Sequence, residues 1–97
     1  MFVSSLIHYP AESTGLVEFI RAPAHADLST LTLLFQNGVG GLQVADMSST
    51  DKTSSAAVNE SAKFLDIEPD CKTILVNAGH LLERWTNGRW KSTVHRV

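Results

Sequence analysis

The sequence predicts an all-β fold, a small barrel or sandwich of about six short strands. Two observations lead there. Apolar residues recur with a period of two, rather than the helical 3.6, in short stretches such as "LTLLFQ" and "KFLDIEP". Each such stretch then closes on Gly, Pro or Asn, residues that break or turn a strand. No repeat and no boundary interrupts the 97 residues, so residues 1–97 read as one small domain.

The first strand is expected in "FVSSLIHY" (residues 2–9), stopped by Pro10, which cannot donate to a ladder. "AESTGLVE" (11–18) is turn-rich, and a further extended piece leads to Pro23. "LTLLFQ" (31–36) sets Leu31, Leu33 and Phe35 against Thr32, Leu34 and Gln36, a strand with two largely apolar faces. Asn37-Gly38 follows, a dipeptide that favours a tight hairpin, with Gly40 and Gly41 behind it and a short strand over "LQVAD" (42–46). Residues 46–62 hold seven Ser/Thr and no apolar period, which reads as an exposed, mobile loop. Strands follow in "KFLDIEP" (63–69) and "KTILVNAG" (72–79). "HLLERW" (80–85) fits one helical turn before Asn87-Gly88, and "RWKSTVHRV" (89–97) finishes as a strand.

Composition removes several function classes. Eight Lys/Arg against ten Asp/Glu give a net charge of −2, so the basic footprint of a nucleic-acid binder is missing. No apolar run approaches the roughly 20 residues of a membrane span. The opening "MFVSSLIHYP" lacks a basic n-region and a long apolar h-region, so no signal peptide is expected. The lone Cys71 cannot form an internal disulfide and suits a reducing compartment. A soluble cytoplasmic domain is therefore expected, with its oligomeric state open.

Chemistry concentrates in "APAHADLSTLTLLFQ" (22–36), where His25 and Asp27 stand two positions apart. In an extended chain such residues project to one side, about 6–7 Å apart. They read either as an exposed turn sharing a hydrogen bond or as a pair of metal ligands. His95, in "STVHRV", tips the balance. Two histidines and one carboxylate, with positions left open, form the facial triad of non-haem ferrous oxygenases. Neutral imidazoles hold Fe(II) without cancelling its charge, and the carboxylate lowers that charge by one unit. With His25 and Asp27 on one strand and His95 on another, the metal is expected to tie together two walls of a barrel.

Those residues carry a family resemblance. The stretches "HYP", "AHADLSTLTLLFQNGVGGLQV", "ILVNAG" and "RWTNGRWKSTVHRV", in this order and spacing, resemble the isopenicillin N synthase-like branch of the 2-oxoglutarate and Fe(II)-dependent dioxygenases. The resemblance implies a double-stranded β-helix (a jelly roll), incomplete at both ends. It implies Fe(II) held by His25, Asp27 and His95, 2-oxoglutarate as cosubstrate, O2, and a small organic substrate. Tyr9, directly before Pro10, resembles the family tyrosine that hydrogen-bonds the oxoglutarate carboxylate. The alternative is a catalytically silent metal-binding fragment or interaction module on the same barrel.

The sequence also departs from the family pattern. Ile7 stands where many relatives have asparagine, and the "N-x-G-D" turn reads Asn77-Ala78-Gly79-His80. His80 and His8 are expected to stay off the metal, since three ligands suffice. Relatives carry an arginine roughly ten residues past the second histidine, then a serine, which together grip the far oxoglutarate carboxylate. The sequence given reaches Val97, two residues past His95. Arg96 is expected to face away from the metal, and Arg21, Arg84 and Arg89 to be solvated. Without such an arginine, oxoglutarate is expected to bind at least ten- to a hundredfold more weakly, because a charge-assisted bond contributes roughly 1.5–3 kcal/mol.

Overall fold

The computed structural model of the chain describes residues 2–11, 20–48, 58 and 62–97. Among the described residues the strands are β1 (Leu31–Phe35), β2 (Gln43–Ala45), β3 (Phe64–Asp66), β4 (Ile74–Ala78) and β5 (His95–Arg96). One short helix, α1 (His80–Trp85), separates β4 from β5. Strands thus dominate, and among the described residues no helix is long and apolar enough to cross a membrane.

Two antiparallel sheets result. β1 pairs with β4 in the register Leu31↔Ala78 to Phe35↔Ile74. β2 lies between β3 and β5, with Val44 opposite both Leu65 and His95. The segment around 21–25 extends this second sheet beyond β5. Its amides at Arg21 and Ala22 donate to the Val97 carbonyl, Val97 donates back to Ala22, and His25 exchanges both backbone bonds with His95.

Two expectations give way here. Asn37-Gly38 does make a turn, with Gly38 at φ +88° and the Val39 amide donating to Asn37 Oδ1 at 3.1 Å. The strands on either side nevertheless enter different sheets, so no β1–β2 hairpin forms. Gly41, at φ +121°, adds a second left-handed step that carries the chain across. Turn residues set local dihedrals but do not choose which edge a strand meets. Residues 2–9 also form no strand. They meet no sheet edge among the described residues, and Phe2 and Leu6 lie essentially fully exposed. The extended segment is tied instead through the Pro10 carbonyl, which accepts from the Arg21 guanidinium.

β1 and β4 present two unlike faces. Leu31, Leu33 and Phe35, with their partners Val76 and Ile74, point outward and are about half exposed or more. Thr32 and Leu34 point inward with Leu75 and Asn77 and are half-buried. Among the described residues Ala45 and Val94 are buried where β2 meets the approach to β5, and Ser92 is buried between the end of β4 and α1, its amide donating to Glu83 Oε2 at 2.5 Å. α1 ends as its sequence predicts: Asn87 (φ +52°) and Gly88 (φ +76°) take the left-handed conformation that stops a helix. The Thr86 hydroxyl donates to the Leu82 carbonyl at 2.8 Å.

Most of the predicted loop 46–62 lies outside the described residues, apart from 46–48, 58 and 62. Its flanks meet: the Asp46 amide donates to the Lys63 carbonyl at 2.8 Å, and the two side chains lie 3.7 Å apart. β2 and β3 are antiparallel neighbours, so a short connection suffices. Replacing residues 49–61 by a Gly/Ser turn should change stability by less than about 1 kcal/mol, because closure entropy varies slowly with length. Urea unfolding checks this, and a collapse of stability would make the segment structural.

Candidate metal centre

His25 and His95 are brought together by the backbone. They are direct antiparallel partners, with His25 N to His95 O at 3.0 Å and His95 N to His25 O at 2.9 Å. Cross-strand partners project to the same face, and the ring centroids stand 4.4 Å apart, tilted by 56°. Asp27, two residues on from His25, turns its carboxylate to the same point. The histidines therefore sit on adjoining segments of one sheet, not on opposite walls as the sequence suggested. Nor do His25 and Asp27 begin β1, since bends at 28–30 carry the chain from this sheet to the other.

The imidazoles are oriented by their other nitrogens. His25 Nδ1 lies 2.8 Å from the Pro23 carbonyl and His95 Nδ1 lies 2.9 Å from the Thr93 carbonyl. A carbonyl can only accept, so Nδ1 carries the proton in each ring and Nε2 presents a lone pair. That arrangement is how ligating histidines are commonly fixed. Asp27 Oδ1 stands 3.9 Å from His25 Nε2 and 3.8 Å from His95 Nε2. These distances exceed a hydrogen bond and leave room for one ion between the three donors. All three ligand atoms lie within 4.8 Å of one another, the arrangement found for this set among the described residues. Two nitrogens and one carboxylate oxygen match what ferrous iron takes in a facial triad. The donor set fits the metal.

The other oxygen of Asp27 is engaged elsewhere. Thr32 Oγ1 donates to Oδ2 at 2.6 Å and Asn77 Nδ2 donates to it at 3.0 Å. Partial burial pushes the Asp27 carboxyl up, but the Thr32 and Asn77 bonds, with the nearby His95 and His25, outweigh it and hold it below the ordinary 3.8. A carboxylate lowered on folding contributes stability above its unfolded value and loses it as pH falls through the folded one. In metal-free protein, the stability gap between wild type and Asp27→Asn should therefore narrow as pH drops below 3.8. Urea unfolding at a series of acid pH values measures that gap, and a constant gap would contradict it.

The main chain of this loop is held by the start of α1. The amides of Gly79, His80 and Leu81 donate to the carbonyls of Thr30, Asp27 and Ser29 at 2.9, 2.8 and 3.3 Å. Gly79 is buried, and a Cβ built there would overlap the Ser29 carbonyl oxygen while lying 3.0 Å from that of Asp27. Only glycine lets the two backbones approach so closely.

The remaining sequence candidates separate from this cluster. His80 contributes its backbone amide to Asp27, and its side chain is not among the three converging donors. His8 lies exposed in the segment 2–11 and lines the broad concave face that holds His25, Asp27 and His95, but is not one of the three converging donors. Tyr9, in the same segment and 41% exposed, lines the same concave face as His25, Asp27 and His95. Arg96 is committed elsewhere: its Nε donates to Gln43 Oε1 at 2.7 Å and its guanidinium lies 3.9 Å over the Phe64 ring. Thr32, Asn77 and Gly79 were not foreseen as parts of the site. Asn77 and Gly79 were visible only as letters of a turn motif.

Comparison with known proteins gives the family of the chain. The profile of the 2OG-Fe(II) oxygenase superfamily matches residues 3–97, and the chain belongs to that family. It is 41% identical over 97 residues to a proline hydroxylase of Petromyces alliaceus, covering 95% of this chain and 26% of that protein. A 2-oxoglutarate-dependent dioxygenase of Dothideomycetidae sp. (strain 11243) is 40% identical over 95 residues, covering 95% of this chain and 25% of its own length. Among solved structures, a full-length Neurospora crassa protein in complex with α-KG superposes with a TM-score of 0.62 at 44% identity. That match covers 80% of this chain and 20% of the Neurospora crassa protein. The chain thus spans about a quarter of the length of the curated relatives it matches.

Proposed function

We propose that the chain forms the metal- and oxoglutarate-binding core of an Fe(II)/2-oxoglutarate-dependent dioxygenase acting on a small organic substrate. The observation that carries the proposal is the convergence of His25 Nε2, Asp27 Oδ1 and His95 Nε2, each imidazole already fixed as the tautomer a metal needs. Bound Fe(II) would supply activation of O2, with oxoglutarate decarboxylated to succinate as the substrate is oxidised. The protein's part is to hold and orient. His25, Asp27 and His95 would hold the ion with three donors and so leave coordination positions for the cosubstrate. Tyr9, on the same concave face, would donate its phenol hydrogen to an oxoglutarate carboxylate.

The fold proposed for this core is a jelly roll. Two antiparallel sheets whose strands pair out of sequence order support that reading, as does the likeness to the Neurospora crassa protein. The small-molecule class of the substrate is supported by what that protein holds. It has been solved with thymine and with 5-formyluracil.

Succinate formation from oxoglutarate tests the proposal, measured for the 97-residue chain and for the chain extended past Val97 by a strand carrying Arg-x-Ser. The expected result is Fe(II)- and O2-dependent succinate, with oxoglutarate bound at least about tenfold tighter by the extended chain. Failure of both chains to form succinate while binding metal would leave the silent metal-binding module as the better reading.

A further inference from the structure

We infer that Thr32 and Asn77 are positioning residues that hold Asp27 as a one-oxygen ligand, a role resting on the metal-centre reading above. The carboxylate has two oxygens with separate tasks. Oδ2 takes a hydrogen bond from Thr32 Oγ1 at 2.6 Å and one from Asn77 Nδ2 at 3.0 Å. Oδ1 is the oxygen that faces both imidazole Nε2 atoms. A carboxylate oxygen can only accept, so the nitrogen of the Asn77 amide must be the atom turned towards it.

The two donors meet there because of sheet register. Thr32 on β1 and Asn77 on β4 are direct antiparallel partners, with side chains on the same inward face. A shift of one residue in either strand would present Leu33 or Val76 instead, and neither can donate. Thr32 is itself steadied, since Ser29 Oγ lies 3.2 Å from its hydroxyl. Ser29, Thr32 and Asn77 thus form a chain of polar groups behind Asp27, on the inner face of an otherwise apolar strand pair. This also accounts for a threonine at the second position of "LTLLF".

With Oδ2 committed to two donors, the carboxylate cannot easily swing to offer both oxygens to one ion. Removing either donor frees that rotation. The ligand then becomes mobile or binds through both oxygens, which takes up a position otherwise left open. Partners of this kind typically change metal affinity by about 10–100-fold.

Mn(II) affinity and the visible spectrum of the Co(II)-loaded protein test the inference in wild type, Thr32→Val, Thr32→Ser, Asn77→Leu and Asp27→Ala. Co(II) absorption reports coordination number, which a merely structural defect distant from the ligand would not alter. The valine and leucine replacements keep volume, and they lie on different strands, so whichever retains the β-sheet circular dichroism signal decides the matter. Thr32→Val and Asn77→Leu should each weaken Mn(II) binding at least about tenfold and change the Co(II) spectrum. Thr32→Ser, which keeps the hydroxyl, should match wild type in both. Wild-type affinity and spectrum in the valine and leucine variants, with Asp27→Ala still losing metal, would overturn this inference alone. Thr32→Ser as impaired as Thr32→Val would also overturn it. No metal bound by the wild type would instead overturn the metal centre itself.

Discussion

Alanine at His25, Asp27 or His95 should lower affinity for Fe(II), or for Mn(II) as its redox-quiet stand-in, by at least about a hundredfold. Replacing the partner of a ligand already costs about 10–100-fold, and removing a ligand outright should cost no less. His8→Ala and His80→Ala should bind as wild type does. His80 offers the sharper comparison, since its backbone touches Asp27 while its side chain stays off the converging donors. Calorimetric titration under anaerobic conditions provides the measurement. Equal losses for His80→Ala and His95→Ala would refute the assignment. Because an imidazole must be neutral to ligate, affinity in the wild type should also weaken towards acid pH.

Gly79→Ala should both unfold the domain more easily and weaken its metal site. The added methyl would meet the Ser29 carbonyl oxygen, with the Asp27 carbonyl oxygen 3.0 Å away. Both obstacles are backbone, so no flexible side chain can yield, and the loop 27–30 must move. Overpacking costs typically about 1–3 kcal/mol, and two backbone obstacles put Gly79→Ala at the upper end. In a domain of this size, that corresponds to a drop of about 10 °C or more in Tm. The displaced loop carries Asp27, so the stabilisation that wild type gains from added Mn(II) by mass action should shrink in the variant. Thermal unfolding with and without Mn(II) reads both effects. An unchanged Tm would show that the 27–30 loop accommodates the methyl group.

The three side chains that converge could be picked out in the chain because the chemistry of a ferrous site is narrow. A ferrous site takes imidazole and carboxylate, His25 and Asp27 stand two positions apart, and that spacing puts both on one side of any locally extended backbone. How His95 reaches His25 could not be read in the same way. Their backbone pairing joins positions far apart in sequence, and alternation specifies a face without naming the neighbouring strand. The same limit applied to Asn37-Gly38, where the turn was legible and the destinations of its flanking strands were not. Residues 2–9 are rich in apolar and β-branched residues, yet composition without an available sheet edge makes no strand. Thr32 and Asn77 were hidden for a related reason. Each is an ordinary polar residue in its own strand, and only the register Thr32↔Asn77 gathers them behind one carboxylate oxygen. Gly79 owes its place to a backbone approach that no local pattern encodes.

The most direct test is an anaerobic titration of the wild-type chain with Fe(II), followed by addition of oxoglutarate. The arrangement of His25, Asp27 and His95 predicts saturation at one metal per chain. Oxoglutarate added to the loaded protein should then produce a new visible charge-transfer absorption, which Asp27→Ala fails to develop. Saturable binding of one metal that persists undiminished in Asp27→Ala, or no saturable binding in the wild type, would contradict the assigned centre.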